Sequence, residues 1–290
     1  MPSLPSSSVT AALEVYDMLT RTIVGVIFAV VYVIFLMVLP PVCLAFALAG
    51  VVALASFELL RAVKAAPRKY MYYITSITAA AVPVGFWMEK GGIVAYGAAM
   101  VLLVTLFFTA IRHFEDGDNT IRYEQIMVCF FGGLLIPVCL SALVQLRMME
   151  HGRFLVLVPV ICASITDVGA YFVGMLFGKH RGVTKVSPNK SLEGYIGGIV
   201  VGCLVLMLYA FVLNRFAGMS ISMPIIALYG IVGSAVTELG DLSFSLIKRQ
   251  VGVKDYGKLL PGHGGMMDRF DSTVFAAPAI LMLVWLFPAF

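Results

Sequence analysis

Between Ser245 and Asp271 the chain gathers Lys248, Arg249, Lys254, Asp255, Lys258, His263, Asp268, Arg269 and Asp271, with Gly262, Gly264 and Gly265 among them. Long apolar runs flank this stretch on both sides. Cations and carboxylates interleaved with glycines suit a polyphosphate and its metal ion. The glycines let the backbone approach, the lysines neutralise charge, and carboxylates are hard-oxygen ligands. The chemistry expected of such a loop is phosphoryl transfer at a membrane edge.

Three further groups carry the same signal. Asp167 lies well inside an apolar run, where a carboxylate costs a few kcal/mol unless it is paired or faces a polar cavity. Downstream, Ser187-Pro188 sets a turn, and Lys190, Ser191 and Glu193 follow at the start of the next apolar run. A helix N-terminus beside lysine and hydroxyl groups is a ready anion site, although an ordinary basic loop would read the same way. Glu238, Asp241 and Ser245 fall at i, i+3 and i+7, on one helical face that continues to Lys248. Two carboxylates at that spacing suit magnesium better than a soft metal; the alternative is a buried polar contact between helices. Asp268 and Asp271 repeat the i, i+3 pairing. His263, between two glycines, is read as a phosphate or loop-ordering contact rather than a general base, because a phosphate monoester is already largely ionised at neutral pH.

These residues need a scaffold, and composition says which kind. The chain is 61% hydrophobic and 12% charged with a mean hydropathy of +0.98, whereas soluble domains carry about a quarter charged residues. The fold class expected is an all-α polytopic integral membrane protein. Nine apolar runs are candidate crossings: 22–39, 41–60, 70–87, 91–111, 126–146, 154–177, 192–213, 223–247 and 270–289. The first two meet at Pro40-Pro41, either as a tight hairpin or as one kinked pair. The organisation expected is an N-terminal cytoplasmic segment over 1–21, N-terminal membrane helices over 22–150 and a catalytic membrane region over 151–290. Residues 9–20 have the mixed character of a short interfacial helix, and no cleaved signal peptide is expected.

Nine crossings place Lys90, Arg147, Arg153 and Arg215 on one face and the rest of the 20 Lys and Arg residues on the other. The positive-inside rule then puts the N-terminus and the charged loops in the cytoplasm, the side that holds nucleoside triphosphates. The five cysteines are scattered singly through apolar segments and suggest neither zinc nor a disulfide framework. There is no P-loop, no HExxH, no GxSxG and no kinase signature. Gly194, Gly198 and Gly202 give one run a close-packing face, read as internal helix packing ahead of a dimer seam.

The run from Ser245 through Lys248-Arg249, Lys254-Asp255, Gly257, Leu260-Pro261 and His263-Gly264-Gly265-Met266 to Asp268-Arg269-Phe270-Asp271 resembles the signature of phosphatidate cytidylyltransferases (CDP-diacylglycerol synthases). Asp167 with Gly169-Ala170-Tyr171, Ser187-Pro188 with Lys190-Ser191 and Glu193-Gly194, and Gly240-Asp241-Leu242 resemble the same family in the same order. The resemblance covers roughly residues 160–278 and is silent on the N-terminal half. It implies that CTP and phosphatidate give CDP-diacylglycerol and pyrophosphate, with magnesium and room for a second cation. It also implies metal ligation by Asp241 and Asp268, with Asp167 and Asp271 completing or orienting that shell. Lys190, Lys248, Arg249, Lys254 and Arg269 would meet the triphosphate and the lipid phosphate. Ser187, Ser191, Glu193, Glu238, Ser245, Asp255, Gly264 and Gly265 join them as substrate-side candidates, with His263 grouped with the catalytic cations. The expected setting is a bacterial inner membrane, with lipid and nucleotide as partners, a homodimer left open and no nucleic acid. Two readings compete: a CTP-dependent lipid-alcohol kinase, and an ion-coupled transporter using Asp167, Glu238 and Asp241.

Overall fold

The computed structural model describes residues 30–118, 121–259 and 264–290, together with Gly25 and Ile27. The N-terminal segment, the interfacial helix expected over 9–20 and part of the run over 22–39 lie outside the described residues. Among those described, the chain forms eight long helices: α1 (Pro41–Val63), α2 (Lys69–Trp87), α3 (Gly91–Glu115), α4 (Tyr123–Met148), α5 (Gly152–Phe177), α6 (Leu192–Phe216), α7 (Met223–Gln250) and α8 (Met267–Leu286). All but α2 are long and apolar enough to cross a membrane, which makes seven candidate crossings where nine were expected. The difference has two sources. The 22–39 run is only partly described. The run over 70–87 is helical as expected, but its Tyr70, Tyr72, Tyr73, Thr75, Ser76 and Thr78 keep it less apolar than the rest.

Local chemistry fixes the ends of these helices. At Pro40-Pro41 the chain breaks: Leu39 and Pro40 are extended, Pro41 opens α1 with its preset φ, and a short π-helical turn (Ile34–Val38) packs back against α1. The junction therefore separates two segments and does not kink one helix. α1 closes on Lys64, which has φ 53°, while the Ala65 N–H returns to the Leu60 carbonyl. α4 carries a π turn at Phe131–Leu135 just before Pro137, whose missing N–H and ring disturb the regular ladder. Ser56 of α1 donates to the Gly132 carbonyl inside that turn.

The C-terminal helices position the polar residues. α5 packs on α6, α6 on α7 and α7 on α8, and α8 also touches α1 and α4. The glycine face of α6 is an internal contact. A Cβ at Gly194 or Gly198 would press on the α5 backbone at Ala170 and Thr166, and one at Gly202 would strike Ser234 and Thr166. Gly240 does the same for α7 and α8, where a Cβ would crowd the Asp271 carbonyl and Phe275. Close backbone approach thus brings the acids of α5, α7 and α8 to one end of the bundle.

Candidate active site

Two lysines organise that end. Lys190 sits at the end of the loop between α5 and α6. Its ammonium lies 2.8 Å from Glu238 Oε2, 2.8 Å from Asp241 Oδ2 and 3.9 Å from Asp167 Oδ1. Burial works against its charge, but Asp241 and Glu238 outweigh that and hold the proton more tightly than water would. The Tyr195 ring faces the same ammonium, 5.3 Å from its centroid. The other lysine, Lys248 on α7, lies 3.0 Å from Asp268 Oδ1 and 3.8 Å from Asp271 Oδ2, with the Tyr256 ring 5.5 Å away. Asp241 acts electrostatically on both Asp167 and Asp271, so the two groups form one charged region.

The groups differ in what remains free. Asp167, Lys190 and Asp241 line a cavity of ≈ 490 Å³ together with Tyr171, Arg181 and Asn189. The Asp167 side chain keeps 46% of its surface and that of Asp241 22%. Glu238 is buried, and among the described residues its Oε1 has no hydrogen-bond partner. Asp268, by contrast, has both oxygens occupied. Oδ1 meets Lys248, and Oδ2 accepts the backbone N–H groups of Tyr256 (2.8 Å) and Gly265 (3.0 Å). Asp271 Oδ1 accepts from the Ser272 backbone at 2.7 Å. Tyr256, buried beside Asp268 and Asp271, has its phenol pKa pushed up, first by burial and then by the two acids.

The remaining candidates divide between the cavity and its frame. Ser191 Oγ caps α6 by accepting the Gly194 N–H at 3.1 Å, and it also borders the cavity. Glu193 accepts the His180 backbone N–H at 3.2 Å and meets the His180 ring, so it braces the loop before α6. Ser187 turns that loop, with its carbonyl accepting the Lys190 N–H at 3.1 Å. Arg249 reaches across to the Val186 carbonyl at 3.4 Å, joining the two charged loops. Ser245 is buried on α7, and Lys254, Asp255 and Arg269 stand exposed. Gly264, with φ +79°, is in the left-handed region that glycine tolerates, and a Cβ there would press on Asp268. His263 lies outside the described residues.

Among the described residues, no three or more His, Cys, Asp or Glu side chains are gathered so as to hold a metal ion. The donor chemistry still suits a hard divalent cation: every acid here offers carboxylate oxygen, and Glu238 Oε1 is buried and unused. In this arrangement the lysine ammoniums supply the positive charge between the carboxylates.

Sequence reasoning missed Glu58 of α1. It is buried, and its Oε2 accepts the Met267 N–H at 2.9 Å where α8 begins. The reasoning that singled out Asp167, an acid inside an apolar run, applies equally to Glu58.

The helices and the paired acid–lysine groups define a polytopic membrane protein with one concentrated charged site at an end of its bundle. The chain belongs to the cytidylyltransferase family, whose model matches residues 19–287. Among similar curated proteins, phosphatidate cytidylyltransferase of Bacillus subtilis (strain 168) is 31% identical over 286 residues, covering 93% of this chain and 99% of the relative. That of Staphylococcus saprophyticus is 32% identical over 182 residues, 63% of this chain and 68% of the relative. That of Mycobacterium bovis is 37% identical over 166 residues, 57% and 52% respectively.

Proposed function

We propose that the chain is a CTP:phosphatidate cytidylyltransferase that makes CDP-diacylglycerol and pyrophosphate. The observation that carries this reading is the cavity holding Lys190 between Asp167, Glu238 and Asp241, in a chain similar over nearly its whole length to a phosphatidate cytidylyltransferase. A phosphate oxygen of phosphatidate attacks the α-phosphorus of CTP in line. The bond from that phosphorus to the oxygen bridging to the β-phosphate breaks, and pyrophosphate leaves. Such a reaction asks the protein to position two anions and stabilise the charge that builds between them.

Lys190 and Arg181, both at the cavity, are the cations to meet phosphate oxygens there. Lys248, Arg249, Lys254 and Arg269 supply the rest, on the loop and the helix ends beside it. Magnesium would be held by Asp241 with Asp167, and by Asp268 and Asp271 once Lys248 yields, with room for a second cation. When bound it neutralises phosphate charge and polarises the phosphorus under attack. The acyl chains lie among the apolar helices while the head group reaches the site. In this reading the protein crosses a bacterial inner membrane nine times, with its N-terminus and charged loops in the cytoplasm, where CTP is found. Homodimerisation is open to the same purified protein.

The test is magnesium-dependent turnover by purified protein in mixed micelles containing phosphatidate and α-labelled CTP. Label entering the lipid with stoichiometric pyrophosphate is the expected result. Label left in aqueous CDP while the lipid gains phosphate would make the protein a kinase, and no CTP consumption by folded protein would return the transporter reading.

A further inference from the structure

Glu58 is the one acidic residue between Val31 and Met88, and it is buried near the C-terminal end of α1. Among the described residues no Lys, Arg or His pairs with it. Its carboxylate is spent on backbone. Oε2 accepts the Met267 N–H, one of the donors that a helix leaves unsatisfied at its start. The same carboxylate packs on Gly257 and on Gly265, where a Cβ at either position would overlap its oxygens. Those two glycines stand on either side of the signature loop. Its two flanks therefore meet at one side chain borne by a helix from the N-terminal half of the chain.

Asp268 fastens the same loop from within, through the N–H groups of Tyr256 and Gly265. Gly265 is thus held between two carboxylates, Asp268 on its N–H and Glu58 against its Cα. A buried carboxylate is costly unless its oxygens find donors, and this one finds the Met267 N–H at the start of α8 while Gly257 and Gly265 pack against it.

We infer that Glu58 is a positioning residue: it holds Gly257, Gly265 and the start of α8 together, and so sets where Lys248, Asp268 and Asp271 stand relative to the substrate cavity. It touches no substrate. The inference rests on the cytidylyl-transfer reading for its kinetic readout, and on loop accessibility where it does not need that reading.

The experiment compares Glu58→Ala, Glu58→Gln and Gly257→Ala with the full-length protein in detergent–phosphatidate micelles. Misplacing catalytic groups by about 1 Å costs on the order of 100-fold in rate. Glu58→Ala is expected to lose about that much in kcat and also to raise KM for CTP; a smaller folded fraction would lower apparent kcat alone. Glu58→Gln keeps an oxygen for the Met267 N–H and should recover most of the loss. Gly257→Ala should impair turnover, yet add nothing to Glu58→Ala in the double variant, because the overlap it creates is with the side chain already removed. Independently of turnover, trypsin should cut at the exposed Lys254 and Lys258 faster in Glu58→Ala than in wild type, with Glu58→Gln in between. Unchanged kcat, KM and cleavage in Glu58→Ala would overturn the inference, as would a glutamine variant no better than alanine. If wild-type protein makes no CDP-lipid, the functional reading falls, and the cleavage rates alone decide the clasp.

Discussion

Lys190 and Lys248 are each held by two or more carboxylates, on neighbouring elements at one end of one bundle, yet the surroundings make them different objects. Around Lys190 the acids come from α5 and α7, the lysine from a loop, and one side opens on a cavity of ≈ 490 Å³. Around Lys248 the acids are both on α8, the side chain of Asp268 keeps only 4% of its surface, and two backbone N–H groups complete its bonding. An ion pair open to solvent can trade partners, whereas a buried, hydrogen-bonded one is costly to break. The open group is thus suited to receive a ligand, and the closed one to hold the loop that approaches it.

The largest effect separating the two is expected from Asp241→Asn. It removes a carboxylate that faces the cavity and leaves the loop's fastenings intact. Turnover should fall to below about one thousandth of wild type, the upper range for losing one charge-stabilising group, with unchanged tryptic cleavage at Lys254 and Lys258. Asp268→Asn should also abolish turnover, but by another route. An amide has one carbonyl oxygen where the carboxylate met Lys248 with one oxygen and two N–H groups with the other, so cleavage at those lysines should accelerate. Near-normal activity in either purified variant would remove that residue from the proposed metal site. Equal cleavage in the two variants would erase the distinction between an open and a closed group.

A step down, Glu193→Gln tests the frame of the open group. Glu193 touches the His180 ring and its backbone N–H, and the loop it braces delivers Lys190. The glutamine keeps one acceptor, so a loss of about threefold to tenfold in kcat/KM for CTP is expected, the scale of one charge-assisted hydrogen bond weakened to a neutral one. A loss as deep as that of Asp241→Asn would place Glu193 in contact with substrate.

Much of this is legible in the sequence, for identifiable reasons. A carboxylate in an apolar run is unfavourable enough to draw notice by itself, which is how Asp167 stood out. Helical spacing put Glu238 and Asp241 on one face, and both meet Lys190. The glycine stripe of α6 announced its own packing. Tertiary pairing was not legible. Nothing in the local sequence says that Lys190 and Lys248 divide the acids between them, or that Asp268 spends its second oxygen on Tyr256 and Gly265. Glu58 carries no signal of charge density, because it is a single acid far from the charged loops. Of the nine expected crossings, seven are long and apolar enough to span among the described residues; the hydroxyl-rich α2 is helical but less apolar, and the 22–39 run is only partly described.

The smallest effect is expected at Lys64, and it bears on why the site is basic at all. Lys64 is exposed at the C-terminal end of α1, on the helix that carries Glu58, and none of the site's acids pairs with it. If the cations around the site served mainly as a diffuse attractive field for a polyanion, removing any of them would lower kcat/KM at low ionic strength, because surface charges act over roughly 10 Å at 0.1 M salt. If recognition instead depends on ammoniums locked in place, Lys190 should matter greatly and Lys64 hardly at all. Lys64→Ala is therefore expected to change kcat/KM for CTP by less than about twofold at low salt, within the few tenths of a kcal/mol usual for surface substitutions. Its left-handed backbone, φ 53°, offers a control: Lys64→Gly removes the same charge and relieves about 1 kcal/mol of strain. The glycine variant should melt higher than the alanine variant while matching it in kinetics. A shared kinetic loss of tenfold or more would assign the basic edge to steering and weaken the case that two particular lysines organise the site.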